Sequence, residues 1–184
     1  MPLNTHAERI EHLRRCTVQV AGSGSGLITD STGWIVTNAH VIQRNRPIVE
    51  LWDGRRFPAK VSVLARRHDL ALLKIDTFGL PVCEFGDSSR LRAGELVIAA
   101  GNPLGFVGAV STGVVHTVGP MAGLGPNNWV QADVRLAPGN SGGPLADAQC
   151  RIIGLNTMIA RGLALAIPSN VVRDFCNVGV RKAA

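Results

Sequence analysis

Short apolar runs, each closed by a turn residue, limit the fold of this sequence more than any other feature. The runs at 17–20, 34–37, 96–99 and 129–132 are examples, and turn signals rich in Gly, Pro, Asp or Asn recur about every 8–15 residues along the chain. This spacing is typical of an all-β barrel or sandwich and not of alternating strands and helices. We therefore expect an all-β fold with two similar halves that meet near residue 100.

Two segments have a different pattern. Residues 6–15 have the spacing of a short amphipathic helix. After Pro168, either Ser169 or Asn170 can cap a second helix over 171–177, and Gly179 is placed to end it. We expect a short helix before the β-rich region and another after it.

Length, charge and hydropathy exclude several classes of protein. The chain has 184 residues, enough for one domain or for two small subdomains that share a cleft. Its net charge is +6, but it has no Tyr and no basic run interleaved with aromatic residues, so nucleic acid is not expected as its main partner. No apolar run reaches the roughly 18 residues of a membrane span. Residues 1–15 lack the apolar core of a signal peptide, so we expect a cytoplasmic protein unless an upstream segment is removed.

The four cysteines, Cys16, Cys83, Cys150 and Cys176, are far apart in the sequence. They form no CxxC pair, and no histidine stands at zinc-site spacing from them. We expect buried, reduced thiols, with neither disulfides nor a bound metal.

The segment GNSGGP at 139–144 is the strongest candidate for chemistry. A serine between glycines can stand on a tight turn with its hydroxyl exposed, while neighbouring backbone N–H groups converge as an oxyanion hole requires. The segment also fits the nucleophile elbow of α/β-hydrolases, but that fold needs its histidine after the serine. All five histidines precede Ser141. The order His, Asp, Ser is instead the order of the two-barrel serine proteases.

His40 is the favoured base because it ends an apolar run, which places its imidazole at a strand end beside a cleft. Its partner carboxylate must be buried and must point at the ring. Asp69 opens the apolar run 70–73 and is favoured for that reason. Asp133 is an alternative because it lies close to Ser141 in the sequence.

Six segments together resemble the signature of the HtrA, or Deg-type, proteases. In chain order they are TNAHVI at 37–42, HDLALLKI at 68–75, GNPLG at 101–105, GNSGGPL at 139–145, IGLNT at 153–157 and AIPSN at 166–170. The resemblance spans nearly the whole chain. It implies a single trypsin-like domain of residues 1–184 with two six-stranded antiparallel β-barrels, at about 16–100 and 101–168, and a C-terminal helix at 169–180. It also implies an ATP-independent enzyme without metal or cofactor that cuts misfolded or regulatory proteins.

The resemblance also implies the roles of individual residues. His40, Asp69 and Ser141 would be the catalytic triad. The segment Gly139, Asn140 and Ser141 would form the oxyanion hole through the backbone N–H groups of its first and last members. The primary specificity pocket and its walls would be made by Leu136, Asn156, Thr157, Met158 and Leu163.

Arg135 raises the question of which side chains the pocket accepts. It stands six residues before the nucleophile, where two-barrel proteases often place the base of the pocket. If Leu136 faces the pocket, strand alternation turns Arg135 away. We expect a small apolar pocket for Val, Ala, Ile or Leu, with an acid-selective pocket built on Arg135 as the alternative.

The sequence departs from the family in its loops and in its C-terminal region. It ends soon after the predicted helix, without the PDZ module that is usual in the family, and the loops that carry subunit contacts in the family are short. The family's homotrimer is therefore left open here. Two other functions remain as alternatives: a chaperone-like module that holds unfolded chains with a resting protease site, and a basic nucleic-acid partner.

Overall fold

The computed structural model describes residues 5–103, 106 and 108–183, so Leu104 and Gly105 of the predicted GNPLG segment lie outside the described residues. The first helix, α1, spans His6–Arg15, as predicted. A capping box closes its N-terminus: Thr5 Oγ1 accepts from the Glu8 N–H, and a Glu8 carboxylate oxygen accepts from the Thr5 N–H. Leu13 on its inner face is fully buried, which attaches the helix to the rest of the chain.

The N-terminal sheet has seven antiparallel strands in the spatial order β5-β4-β1-β2-β3-β7-β6. In chain order they are β1 (Thr17–Val20), β2 (Gly24–Asp30), β3 (Trp34–Thr37), β4 (Ile48–Glu50), β5 (Arg56–Pro58), β6 (Lys60–Ala65) and β7 (Leu70–Lys74). The number of strands in this sheet, seven, differs from the six of the predicted barrel. The two edge strands, β5 and β6, are consecutive in the chain and separated only by Ala59. β5 pairs with β4 and β6 pairs with β7, so the chain changes its partner strand at Ala59 and forms two strands.

The C-terminal half is a closed barrel of antiparallel strands in the order β10-β13-β12-β11-β8-β9. In chain order they are β8 (Leu96–Gly101), β9 (Ala109–Pro120), β10 (Asn128–Asp133), β11 (Pro144–Asp147), β12 (Ile152–Ala160) and β13 (Leu163–Pro168). Strand β8 pairs with β9 and β11. The predicted boundary between the halves, at residue 100, therefore comes one strand too late. An apolar run shows that a strand exists, but its alternation does not show which strand it pairs with.

The second helix, α2, spans Ser169–Ala183 and continues through Gly179, which was expected to end it. Gly179 is buried against β7, and a Cβ there would lie 2.6 Å from Leu72 Cδ2. The glycine is therefore needed for the close approach of helix and sheet rather than for a helix cap.

Each half has its own apolar core, represented by Ile35 in the N-terminal sheet and Val130 in the barrel. A third cluster joins the two halves to both helices and includes Leu72 and Val172. All four cysteines are free and buried, as expected. Within the part of the chain that the structure describes, no helix has both the length and the apolar character needed to cross a bilayer.

Candidate active site

His40 lies in a short 3₁₀ turn, Ala39–Val41, that follows β3. Its ring Nδ1 is 2.8 Å from Asp69 Oδ2, and its backbone N–H donates to Asp69 Oδ1 at 3.0 Å. A carboxylate can only accept here, so Nδ1 carries the ring proton and Nε2 has a free lone pair. The hydrogen bond to Asp69 raises the pKa of His40 above its ordinary value, against an opposing effect of burial.

Asp69 has a left-handed backbone, with φ 51° and ψ 40°, at the end of the 3₁₀ turn Arg66–His68. Aspartate is one of the residue types that tolerate this conformation. The side chain of Asn38 donates to the Asp69 carbonyl oxygen at 3.0 Å and holds this backbone in place. Asp133, the alternative partner, is exposed at the end of β10, and among the described residues it makes no hydrogen bond to His40.

The loop between β10 and β11 carries Ser141, and its shape depends on a turn at 137–140. The Asn140 N–H donates to the Ala137 carbonyl at 3.0 Å, with Pro138 and Gly139 at the central positions. Gly139 has φ +106°, which fits the third position of a type II turn and excludes type I. A side chain at 139 would also come within 2.5 Å of the Asn102 carbonyl oxygen. Only glycine satisfies both conditions.

The backbone N–H groups of Gly139 and Ser141 are available to a ligand. Neither donates a hydrogen bond within the described residues, whereas the neighbouring N–H groups of Asn140, Gly142 and Gly143 are all satisfied inside the protein. Unpaired N–H groups beside a serine hydroxyl are what an oxyanion hole needs.

The hydroxyl of Ser141 donates to the carbonyl oxygen of Thr157 at 2.8 Å. Within the described residues it makes no hydrogen bond to His40. The hydroxyl must therefore leave the Thr157 carbonyl before it can donate to Nε2. Hydrogen bonds between catalytic groups are commonly loose in ligand-free enzymes and tighten when substrate binds.

Two residues of the N-terminal half are hydrogen-bonded to the C-terminal half near Ser141. Thr157 Oγ1 accepts from Asn38 Nδ2 at 3.1 Å, so Asn38 links Asp69 on one side to β12 on the other. Ser25 on β2 donates through Oγ to the Gly139 carbonyl at 2.6 Å, and its N–H donates to the Ser141 carbonyl at 2.8 Å. These roles could not be predicted from the sequence, because each depends on a contact with a segment more than 100 positions away.

A cavity of about 200 Å³ opens beside Ser141. This is below the range of about 300–1,000 Å³ for pockets that enclose a drug-sized ligand, and it suits a single side chain. Apolar groups make up most of its wall. It is lined by Leu136, Ala137, Pro138, Asn140, Ser141, Thr157, Met158 and Ile159.

The remaining predicted substrate-binding residues lie outside this cavity. Arg135 is exposed, and its carbonyl oxygen accepts from Ser111 Oγ at 2.7 Å. Asn156 is fully buried and supports the serine loop, because its carbonyl accepts from the Gly142 N–H and its Nδ2 donates to the Pro144 carbonyl. Leu163 begins β13 and pairs with Ala160 across a tight hairpin.

The N-terminal sheet positions a histidine that is paired with an aspartate, and the closed C-terminal barrel carries a serine on a glycine-flanked loop. This combination defines the class of two-barrel serine peptidases. The chain matches the trypsin-like peptidase domain over residues 24–155. Serine protease HTRA1A of Danio rerio is 42% identical over 161 residues, which are 83% of this chain and 34% of that protein. Serine protease HTRA4 of Mus musculus is 42% identical over 163 residues, 84% of this chain and 34% of that protein.

The fold comparison agrees with the sequence comparison. The structure of the HtrA-type protease AlgW with a decapeptide has a TM-score of 0.88 at 26% identity, covering 97% of this chain and 68% of that chain. The chain belongs to the HtrA-type family of trypsin-like serine proteases. It spans about a third of the length of the two animal relatives.

Proposed function

We propose that this chain is a serine endopeptidase that cleaves peptide bonds by means of His40, Asp69 and Ser141. The observation that carries the proposal is the two-point contact of Asp69 with the ring and the backbone of His40. It selects the tautomer with a free Nε2 lone pair, which is the form that a general base requires.

The reaction begins when substrate displaces the Ser141 hydroxyl from the Thr157 carbonyl. The hydroxyl then donates to His40 Nε2 and attacks the scissile carbonyl carbon, while its proton passes to the imidazole. Asp69 stabilises the imidazolium that forms. The imidazolium next returns the proton to the leaving amine, which leaves an acyl group on Ser141. A water molecule activated by His40 hydrolyses this acyl-enzyme.

The N–H groups of Gly139 and Ser141 stabilise the negative oxygen of each tetrahedral intermediate. One such donor contributes about 2.7–4 kcal/mol to the stabilisation of the transition state in serine proteases. The left-handed φ of Gly139 supports this role, because a type I turn at 137–140 would turn the Pro138–Gly139 peptide over.

The substrates proposed are extended segments of proteins or peptides with a small apolar residue before the scissile bond. The cavity lined by Leu136, Met158 and Ile159 would take that residue, while exposed Arg135 would remain outside. AlgW, the structural relative, is known with a decapeptide, which is consistent with a peptide substrate. The homo-oligomer implied by the family resemblance remains a prediction.

A chaperone-like holder of unfolded chains is the alternative. The bond from Ser141 to the Thr157 carbonyl is the observation in its favour, because this serine is not yet aligned with its base. The unpaired N–H groups of Gly139 and Ser141 argue against it, because a collapsed oxyanion loop would not present them.

The test combines covalent labelling with turnover. Wild-type protein should react with a fluorophosphonate probe at Ser141 and should hydrolyse casein, while Ser141→Ala should do neither and should keep its far-ultraviolet circular dichroism spectrum. Ser31→Ala, at an exposed turn serine, is the matched control and should behave like wild type. Casein binding without hydrolysis or labelling by the wild type would favour the holder. Casein hydrolysis by Ser141→Ala at the wild-type rate would overturn the assignment of the nucleophile.

A further inference from the structure

Three side chains that the proposed protease mechanism does not use lie together, largely buried, where α1 packs against the inter-barrel linker. His12 and Cys16 lie one helical turn apart at the end of α1, and Cys83 lies in the linker at 75–95. One potential ligand atom from each of these three residues lies within 4.8 Å of the others. Cys150 lines the same surface cavity as His12 and Cys83. We propose that His12, Cys16 and Cys83 bind a thiophilic divalent metal ion of the zinc type, with the fourth coordination position open to Cys150.

The distances between these groups suit a tetrahedral ion. With metal–sulfur bonds of about 2.3 Å and metal–nitrogen bonds of about 2.0–2.1 Å, neighbouring ligand atoms stand about 3.5–3.8 Å apart. Cys16 Sγ is 3.7 Å from His12 Nε2. The ligand atoms of His12, Cys16 and Cys83 therefore need to approach one another by about 1 Å at most, a movement that side-chain torsions can supply.

The donor set also selects the class of metal. Two thiolates and one imidazole are soft and borderline ligands, which favour zinc-type ions over magnesium or calcium. Cys16 is fully buried and Cys83 is 7% exposed, so little water competes for the ion. A cavity of about 420 Å³ bordered by His12, Cys83 and Cys150 leads to the cluster from solvent and provides an entry path.

The backbone holds these ligands on separate, hydrogen-bonded elements. The Cys16 N–H closes the last turn of α1, and its carbonyl accepts from the Ile28 N–H at 2.9 Å. The linker beside Cys83 is fixed to β12, because the Glu84 carbonyl accepts from the Ile152 N–H at 2.8 Å. Cys150 ends a turn in which its N–H donates to the Asp147 carbonyl at 2.8 Å. A site supported in this way is largely formed before the ion arrives.

In the metal-free state His12 Nε2 is 3.0 Å from the Val82 carbonyl oxygen, which can only accept, so Nε2 carries a proton. Metal binding moves that proton to Nδ1 and turns the ring from Val82 towards the ion. The thiols of Cys16 and Cys83 each lose a proton to become thiolate ligands, so at least two protons are released for each ion bound.

A disulfide between Cys16 and Cys83 is the competing chemistry. A bound divalent cation supplies the positive charge that stabilises two neighbouring thiolates, and thiolates held as ligands are not free to form a disulfide.

Cobalt titration of the chelator-treated, fully reduced chain tests the proposal. We expect one Co²⁺ per chain with a thiolate-to-metal charge-transfer band and the intense visible bands of tetrahedral cobalt, displacement by Zn²⁺, and release of at least two protons. Cys83→Ser should weaken binding by about 100-fold or more, and His12→Gln should weaken it and reduce the visible bands. Cys176→Ser removes a buried cysteine outside the cluster and is the matched control, so it should bind cobalt like wild type.

Circular dichroism on each variant shows that it is folded. If Cys16→Ser does not fold because Cys16 is fully buried, the variants at His12 and Cys83 decide the outcome. Absence of a tetrahedral cobalt spectrum in the wild type, or an unchanged spectrum in Cys83→Ser, would overturn the site. So would mass spectrometry showing that the purified protein holds a disulfide between Cys16 and Cys83 and binds no cobalt after reduction.

Discussion

Ser25 Oγ donates a hydrogen bond of 2.6 Å to the carbonyl oxygen of Gly139, and this bond joins the N-terminal sheet to the loop of the proposed oxyanion hole. The same hydroxyl oxygen accepts from the Asn102 N–H at 2.8 Å. Ser25 is fully buried, so no water can replace its hydroxyl without a rearrangement. The Gly139–Asn140 peptide, which lies between the two proposed oxyanion donors, is therefore held in place from the other half of the molecule.

The first prediction concerns this contact. Ser25→Ala leaves a buried carbonyl and a buried N–H without partners, which should lower the free energy of unfolding by about 1–3 kcal/mol. It should also reduce kcat by about tenfold or more with a smaller change in KM, because the oxyanion donors act mainly in the transition state. Urea unfolding and peptide kinetics measure both effects. Ser23→Ala, at an exposed turn serine nearby, is the control, and equal kinetics for the two variants would contradict the positioning role.

The second prediction concerns pH. The general base must be neutral, so activity falls as pH drops through the pKa of His40. The bond to Asp69 raises that pKa, so the midpoint of the loss of activity should lie at a pH above the ordinary histidine pKa of about 6.5. In Asp69→Asn the negative charge is gone, so the midpoint of the loss of activity should move to lower pH. In the same variant kcat should drop by about 10⁴-fold.

The pH profile of kcat/KM for a peptide substrate, measured for both proteins, tests this prediction. Asp133→Asn is the matched control, because Asp133 was the alternative partner and is exposed. It should keep both the rate and the profile of the wild type. A loss of activity in Asp133→Asn as large as that in Asp69→Asn would contradict the assignment of the partner carboxylate.

The third prediction concerns specificity. A peptide library should show Val, Ala, Ile or Leu before the scissile bond, because the cavity beside Ser141 is small and mostly apolar. Leu136→Ala should widen the cavity and shift the preference towards larger side chains. Arg135→Ala, at the exposed neighbour, should leave the preference unchanged. A strong preference for Glu or Asp that disappears in Arg135→Ala would make Arg135 the specificity residue instead.

The fourth prediction concerns the packing of α2. Gly179→Ala adds about 1 kcal/mol of helix propensity, but its Cβ would lie 2.6 Å from Leu72 Cδ2 in a fully buried environment. Overpacking of this kind costs about 1–3 kcal/mol, so we expect a net loss of stability. Thermal unfolding measures the change. Asn177→Ala, at an exposed position on the same helix, should be neutral or slightly stabilising, and a stabilised Gly179→Ala would show that Leu72 repacks freely.

The strands and α1 could be predicted from the sequence because their signals are local. The capping residues Thr5 and Glu8 lie at the N-terminus of the helix that they close, and an apolar run such as Trp34–Thr37 contains most of what makes a strand. The candidate site could be predicted from the sequence for a similar reason. Ser141 is flanked by glycines at 139, 142 and 143, and His40 and Asp69 stand beside apolar runs in the chain order of the two-barrel serine proteases.

The pairing of strands and the proximity of residues far apart in the chain could not be predicted from the sequence in the same way. Gly179 looked like a helix end because helix-ending glycines are common, but it is required by a contact with Leu72 about a hundred positions earlier in the chain. The cysteines seemed isolated because Cys16, Cys83 and Cys150 belong to a helix, a linker and a turn that meet only after both halves have folded. Linear spacing carries no information on such distances.

The sequence by itself determined the all-β class, the first helix and the residue types of the proposed chemistry, because periodicity, caps and chain order are local properties. Only the tertiary structure decided that β8 joins the second barrel, that Asn38 and Ser25 connect the two halves, and that His12 lies beside two thiols. These features depend on which apolar faces pack together, and packing is a property of the whole chain rather than of any one segment.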